Sequence, residues 1–474
     1  MRLFTIVLLS ICSLTTFAQD YNIKTFGAKA DDKTLNTVAI QKAIDQCSKT
    51  GGRVIIPEGT FLSGTLYLKD NVNLHLMAGA LLKGSTQFKD YPDNAVPGSS
   101  KTNHAFLYAF NVNRIAITGQ GTINGNGQSA EFQLGDDSGP KGNGGRPVLV
   151  LMKGCKYVDV MDVRLENSAF WMQNYVDCEN LHVKGITVYN HVNFNNDGID
   201  IDSKNVLIED CIIDSDDDAL CLKSHDADRT CENVTIRNCV ISSNCNGIKF
   251  GTASLGGFRN INISNVRIHN APVDRIRHWL ENMKFIGQAK TVISGIAIEN
   301  VDGGITDNIN ISNIYMQDVQ TPIFIKLGNR GSTLKPAAKN PGHLRNVTIS
   351  NVTAESYSKM TSHITGLPGY DVENVQLNNI RINSMGTGTK DDAQIKLPEN
   401  VTTYPENRMF GYIIPAGGLF ARHVTGLVVQ NCSWTTRAKD ERPVVILDDV
   451  KQSSLTLLRA EGFDDVKDLI KRVN

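Results

Sequence analysis

The chain has 474 residues, with 48 basic and 49 acidic side chains. That length allows two ordinary domains or one large repetitive one. The balanced charge gives no sign of an electrostatic partner such as nucleic acid, and plentiful Gly and Asn with few aromatics suit many short strands and turns.

Met1-Arg2 is a small basic start, and the apolar run from Leu3 to Leu14 is too short to span a bilayer. Thr16-Phe17-Ala18 has the form of a cleavage site, which predicts an export signal over 1–18 and a mature start near Gln19. Cys12 follows the bulky Ile11, against a lipid anchor. No later segment is long and apolar enough for membrane insertion. The expectation is a soluble, secreted or periplasmic monomer. Removing Cys12 leaves nine cysteines, and Cys211, Cys221, Cys231, Cys239 and Cys245 crowd into one region. There is no Cys-x-x-Cys pair or zinc-type His spacing, so stacked core thiols or one disulfide is expected.

Thr37 to Cys47 carries Val38, Ala39, Ala43 and Ile44 at helical spacing, with Asn36 or Thr37 as its cap. Short strands are predicted next over Arg53 to Ile56, Gly64 to Leu68, Val72 to Leu76 and Ala80 to Gly84. A repeat then sets in: a polar residue, often Asn, precedes alternating apolar positions. It begins at Asn113, Tyr157, Asn180, Asn205, Asn233, Asn260, Asn308, Asn346 and Asn374. The central intervals of 23 to 28 residues suit a right-handed parallel β-helix, an all-β solenoid with turns of variable length. The early helix is read as its N-terminal cap. The asparagines are read as stacked turn residues. Two departures stand out: Val273 to Phe285, a lid or a surface excursion, and Lys390 to Gly418, which reaches the cleft or only covers the last coils. No linker divides the chain, which predicts one domain over 19–474.

Three blocks carry the chemistry: Asn195-Asn196-Asp197-Gly198-Ile199-Asp200, Asp216-Asp217-Asp218-Ala219-Leu220-Cys221-Leu222-Lys223, and Asn246-Gly247-Ile248-Lys249-Phe250-Gly251. Asp218 lies 21 positions after Asp197, and Asn246 lies 28 after Asp218. These spacings suit one coil each, and stacked strands lie about 4.8 Å apart. Carboxylates on adjacent levels then reach the ~6.5–9.5 Å separation that an inverting glycosidase uses for acid, base and water. Crowded carboxylates also raise the pKa of one of them, as a general acid requires. If Leu220 and Leu222 face inward, Asp217 and Asp218 have opposite parity, so both reach one cleft only if the chain bends before Ala219.

These blocks resemble glycoside hydrolase family 28, the pectin hydrolases that include polygalacturonases and rhamnogalacturonan hydrolases. The family's Asn-Thr-Asp block is similar to Asn195-Asn196-Asp197, and its Asp-Asp block to Asp217-Asp218. The resemblance covers most of the mature chain. It implies a right-handed parallel β-helix, inverting hydrolysis with no metal or cofactor, and a pectic polysaccharide or oligosaccharide substrate. It also implies Asp217 as general acid, with Asp197 and Asp218 deprotonating the attacking water.

Two departures from that pattern bear on substrate. Polygalacturonase-type members carry Gly-His-Gly where this chain reads Cys245-Asn246-Gly247. They carry Arg-Ile-Lys, which holds a galacturonate carboxylate, where it reads Ala297-Ile298-Glu299. The resemblance thus leans toward the rhamnogalacturonan-acting branch. Lys223 and Lys249 have outward parity and are candidate replacements that bind a uronate carboxylate; the other reading is a salt-bridge ladder with Asp200 or Asp202 on the coil below. Asn195 and Asn246 are candidate substrate-binding residues, and for Asn246 a turn role is the alternative. Trp171 is either a sugar-stacking ring or core. His191, His225 and His269 are read as structural. A non-catalytic polysaccharide-binding β-helix and a calcium-dependent lyase are the rival functions.

Overall fold

The computed structural model describes residues 19–94, 103–133, 145–271, 292–331, 340–464 and 469–473. The predicted export signal and the Val273 to Phe285 insertion lie outside these residues. The described chain is a right-handed parallel β-helix: all pairings between its strands are parallel and join successive coils. Inward-facing aliphatic side chains form one core, continuous from Tyr21 to Phe463. Apolar residues at every second position of a strand point to one face, so short alternating runs line the solenoid interior.

The α-helix Thr37–Thr50 caps the N-terminal end, burying Ile40, Ala43, Ile44 and Cys47. It covers strand edges that would otherwise present unpaired backbone groups. Asn36 stands at its N-cap but does not cap it; its amide bonds the Lys29 backbone instead, at 2.7 and 3.0 Å. Thr37 Oγ1 accepts from the Gly64 amide at 2.8 Å, tying the helix to the first coil.

The asparagines of the repeat sit at coil corners in the left-handed region, with φ of 55–61° from Asn180 to Asn374. In the first of these coils the corner falls on Arg114, one residue beyond Asn113. Asn tolerates this conformation better than other side chains. Its amide also bonds its counterpart one coil away. Asn205, Asn233, Asn260 and Asn308 form one such ladder at 2.9–3.1 Å. Asp210, Asn238, Asn265, Asn313, Asn351 and Asn379 form a second at 2.8–3.2 Å. These ladders fix the register of the stack.

All nine cysteines after Cys12 are free thiols. Their thiols donate to backbone carbonyls: Cys155 to Lys153 at 3.4 Å, Cys178 to Met152 at 3.5 Å, Cys211 to Glu209 at 3.2 Å and Cys239 to Arg237 at 3.3 Å. These are core thiols and not a disulfide. No helix among the described residues is long and apolar enough to cross a membrane.

The segment Lys390 to Gly418 does both things the sequence allowed. Leu397, Phe410, Ile414 and Ala416 pack on the outward side chains Ala297, Phe324, Phe420 and Ile446 of the last coils. Asn407 Nδ2 donates to the Ile293 carbonyl and to Thr321 Oγ1, at 2.8 and 2.9 Å. Tyr404 reaches back toward the acidic blocks, its hydroxyl 2.9 Å from Thr252 Oγ1.

The ladder account predicts that Asn313→Val, which loses both amide bonds and forces a β-branched residue to φ 57°, destabilises by about 2 kcal/mol or more. Asn313→Gly keeps the φ and should cost about half as much. Thermal melting of both variants beside the parent checks this order.

Candidate active site

Asp197, Asp218 and Asn246 occupy equivalent places on successive coils. Met172 N donates to Asp197 O at 3.0 Å, Gly198 N to Asp218 O at 2.9 Å, and Ala219 N to Asn246 O at 2.9 Å. The chain bends over 216–219, and the strand Leu220–Ser224 starts only after it. That bend is what the parity of Asp217 and Asp218 demands. Asp217 Oδ1 accepts from the Asp218 backbone amide at 2.8 Å. The Asp217 carbonyl accepts from Ser215 and Ser243 hydroxyls at 2.8 and 2.7 Å, which fixes the corner. One oxygen of Asp217, one of Asp218 and Cys245 Sγ all lie within 4.8 Å of one another, so these two acids approach more closely than the ~6.5–9.5 Å expected from sequence for an inverting pair, because both sit at one corner of one coil. Burial and both aspartates raise the Cys245 pKa well above that of a free thiol, which keeps it protonated and a poor metal ligand.

A glycine follows Asp197 for a local reason. A Cβ on Gly198 would lie 2.5 Å from the Ala219 carbonyl oxygen and 2.6 Å from Ile213 Cγ2. Only a bare backbone lets the Asp197 corner close on the Asp218 corner. Asn196 and Asn190 hold the same corner. Asn196 Oδ1 accepts from the Val192 and Asn193 amides at 2.9 and 2.7 Å, and Asn190 Nδ2 donates to the Asp197 carbonyl at 3.0 Å.

The candidate lysines face the acids. Lys249 Nζ lies 2.9 Å from Asp218 Oδ2, both groups buried. Its partner is Asp218, not the Asp200 or Asp202 of the ladder expected from sequence. Lys223 does follow that ladder: its Nζ is 3.1 Å from Asp200 Oδ1 and 3.8 Å from Asp197 Oδ2. Asn246 Nδ2 donates to Asp218 Oδ1 at 2.7 Å, so it holds the acid in place. Asn195 Oδ1 accepts from Arg146 Nη2 at 2.9 Å. That buried guanidinium also stacks 4.4 Å from the centre of the Phe170 ring. Trp171, 8 % exposed, stacks on Phe170 with centroids 4.7 Å apart, and Lys223 Nζ lies 5.4 Å from its ring centre. His191 and His225 are engaged by Asp214 and Asp202, at 2.7 and 2.9 Å.

These contacts divide the acids electrostatically. Burial and the neighbouring Asp218 charge push Asp217 up to about 7. Burial alone would raise Asp218 as well, but Lys249, Lys223 and the Asn246 amide outweigh it and hold Asp218 below its usual value. Burial and the charges of Asp200 and Asp217 push Asp197 well up. Near neutral pH the site thus holds one firmly ionised carboxylate, Asp218, beside two carboxyls, Asp197 and Asp217, that burial and like charge bias toward the protonated form.

Arg146 gave no signal in the sequence; Glu299 and Tyr404 lie in segments the sequence singled out, the Ala297-Ile298-Glu299 departure and the Lys390 to Gly418 excursion, but their place beside Thr252 comes from the fold.

Asp217 retains its proton to about pH 7 when folded, whereas an unfolded Asp ionises near 4. The folded state therefore binds the extra proton between these values, and stability falls as pH rises through that window. Asp217→Asn removes the penalty. It should raise the melting temperature at pH 7.5, gaining on the order of 4 kcal/mol of stability, and leave it nearly unchanged at pH 4. Melting curves at both pH values check the sign.

Comparison with known proteins agrees with this geometry. The family model "Glycosyl hydrolases family 28" matches residues 47–403. The chain is 26% identical over 408 residues to an exo-poly-α-D-galacturonosidase of Dickeya chrysanthemi, covering 74% of this chain and 65% of that enzyme. The chain thus spans just under two thirds of that relative's length. An exopolygalacturonase from Thermotoga maritima has a similar fold, with TM-score 0.64 and 24% identity over 77% of this chain and 87% of its own. A family 28 exopolygalacturonase of Yersinia enterocolitica gives TM-score 0.63 and 21% identity, over 96% of this chain and 78% of its own.

Proposed function

The chain belongs to the glycosyl hydrolases of family 28, and we propose that it is a secreted or periplasmic inverting hydrolase of galacturonate-containing pectic backbone, with rhamnogalacturonan preferred to homogalacturonan. The observation that carries this reading is the split between Asp217 and Asp218. One carboxyl keeps its proton near neutrality, and the other, paired with Lys249 at 2.9 Å, is held ionised. Acid and base catalysis on one bond needs that pair of states.

In this reading Asp217 protonates the leaving glycosidic oxygen. Asp218 takes the proton of a water that attacks the anomeric carbon from the opposite face, which inverts the configuration. The family resemblance implies Asp197 and Asp218 together for the water; the pairing with Lys249 supports Asp218 as the base. Asp197 shares Lys223 with Asp200 and completes the floor beside the attacking water. Lys249 is a positioning residue, since it acts through Asp218.

The preference for rhamnogalacturonan rests on Ala297 and Glu299, which lie one coil beyond Lys249 where a galacturonate-binding site would need cations. In register Lys249 faces Ala297. The polygalacturonase names of the relatives favour homogalacturonan, and the substrate test decides between the two. The cover that residues 397–414 lay over the outward face beyond Lys249 supports attack near a chain end.

Incubation with rhamnogalacturonan and with polygalacturonate should give saturated short products from the first time points, faster from rhamnogalacturonan and unaffected by chelator. Asp217→Asn should lower the rate about 10²–10⁴-fold. Unsaturated products, or a rate that chelator abolishes, contradict the hydrolase reading.

Lys249→Met removes the cation that keeps Asp218 ionised. The acid limb of the kcat/KM profile should then move to higher pH, because Asp218 must be deprotonated to act. An unmoved limb contradicts the base assignment.

A further inference from the structure

Glu299 has no part in the acid–base chemistry, yet it lies beside it. Its strand, Val292–Asn300, runs parallel to Asn246–Ser254 with Lys249 opposite Ala297. Glu299 follows two residues later on the same outward face, next to Gly251 and Thr252. It is 1 % exposed. Oε2 lies 3.5 Å from Thr252 Oγ1, and buried Oε1 has no hydrogen-bond partner among the described residues. Tyr404, 53 % exposed, closes the far side: its hydroxyl shares Thr252 Oγ1, and its ring centre is 5.7 Å from Lys249 Nζ. A buried polar atom left unpaired costs about 1–3 kcal/mol, so Oε1 calls for a ligand that supplies a partner.

The charges around the recess decide what that ligand is. Asp197, Asp200, Asp217, Asp218 and Glu299 are five carboxyls beside two ammonium groups, and both ammonium groups are engaged. Lys223 pairs with Asp200 and Asp197, and Lys249 with Asp218. Beyond Glu299, Arg330 is held by Asp302 in two contacts of 3.1 and 2.9 Å, and Glu406 is paired with Arg408, so these cations too are engaged. Once Glu299 ionises, a uronate placed here brings a second carboxylate against it with its nearest cations already paired, so uronate binding opposes that ionisation. A sugar hydroxyl meets the carboxyl in either protonation state, donating to Oε1 or accepting from its proton.

We propose that Glu299 is the specificity-determining residue of a sugar subsite between Lys249 and Tyr404, and that it selects an uncharged, hydroxyl-bearing sugar over a uronate. This inference rests on the reading that the cleft takes a pectic backbone. Burial pushes the Glu299 carboxyl up to about 8, so at neutral pH it carries a proton to donate. Lys249 and Arg330 oppose that shift, and Asp218 and Glu406 reinforce it.

The test is binding by the full chain carrying Asp217→Asn, so that substrate survives. Calorimetry compares a rhamnogalacturonan tetrasaccharide with tetragalacturonate, with and without Glu299→Lys or Glu299→Gln. The ratio of the two Kd values should move at least ~10-fold toward tetragalacturonate in the Glu299→Lys protein. Glu299→Gln, the same shape without the charge, guards against misfolding. Raising pH from 6 to 9 should weaken tetragalacturonate binding relative to rhamnogalacturonan when Glu299 is present, and this pH effect should vanish in Glu299→Gln. A Kd ratio and pH response unchanged by either substitution overturn the inference alone. Folded protein that binds neither oligosaccharide overturns it together with the reading it rests on.

Discussion

Lys249 and Asp218 are 31 residues apart in sequence and 2.9 Å apart in space. That contact depends on the register of the coils, and the chemistry depends on the contact. Both groups are buried, where removing one partner of an ion pair costs about 3–5 kcal/mol. The pair is too costly to be incidental. It fixes the ionised state of one acid and, through that acid's charge, leaves the proton on Asp217. The left-handed asparagine corners that lock coil to coil are therefore part of the site, although none of them touches it.

The same register explains where the cleft lies. The outward ladder through the centre of one face reads Tyr67, Tyr108, Leu151, Asn174, Asp200, Cys221, Lys249, Ala297, Phe324, His363, Phe420 and Ile446. Its ends are aromatic or aliphatic and its middle is polar. Tyr108 and Leu151 join Phe170 and Trp171 in an apolar floor on one side. On the other, Phe324 and Phe420 are sealed by Leu397 and Phe410. Between these covers the outward face passes from aromatic side chains to the carboxyls and then to the recess at Glu299.

Much of this was legible in the sequence because the solenoid is built from local repeats. The Asn-led alternation gave the coils, and the parity conflict between Asp217 and Asp218 demanded the bend that the chain makes at 216–219. The capping helix was legible from apolar spacing, although Asn36 turned out to brace Lys29 and not the helix. What the sequence left open was direction. Outward parity placed Lys249 on the cleft face opposite Cys221, but its long side chain reaches diagonally to Asp218 at the corner. Parity could not tell a uronate ligand from an acid's partner. Asn246 was ambiguous for the same reason, since an amide beside a corner can bond a sugar or the acid below it. Arg146, the exact reach of Tyr404 and the isolation of Glu299 Oε1 had no local signature. They follow from segments that meet only after the coils have stacked.

The central claim is that Lys249 holds Asp218 ionised while Asp217 keeps its proton near neutrality. Infrared difference spectroscopy of the protein's carboxyl bands, titrated from pH 4 to 9 in the parent and in Asp217→Asn, tests it most directly. The account predicts a protonated carboxyl that titrates near pH 7 in the parent and is missing from the variant. Glu299, which titrates near 8, should remain in both proteins; parent and variant spectra that are identical across pH 4 to 9, with no carboxyl lost near pH 7, would contradict the account, because the retained proton would then not belong to Asp217.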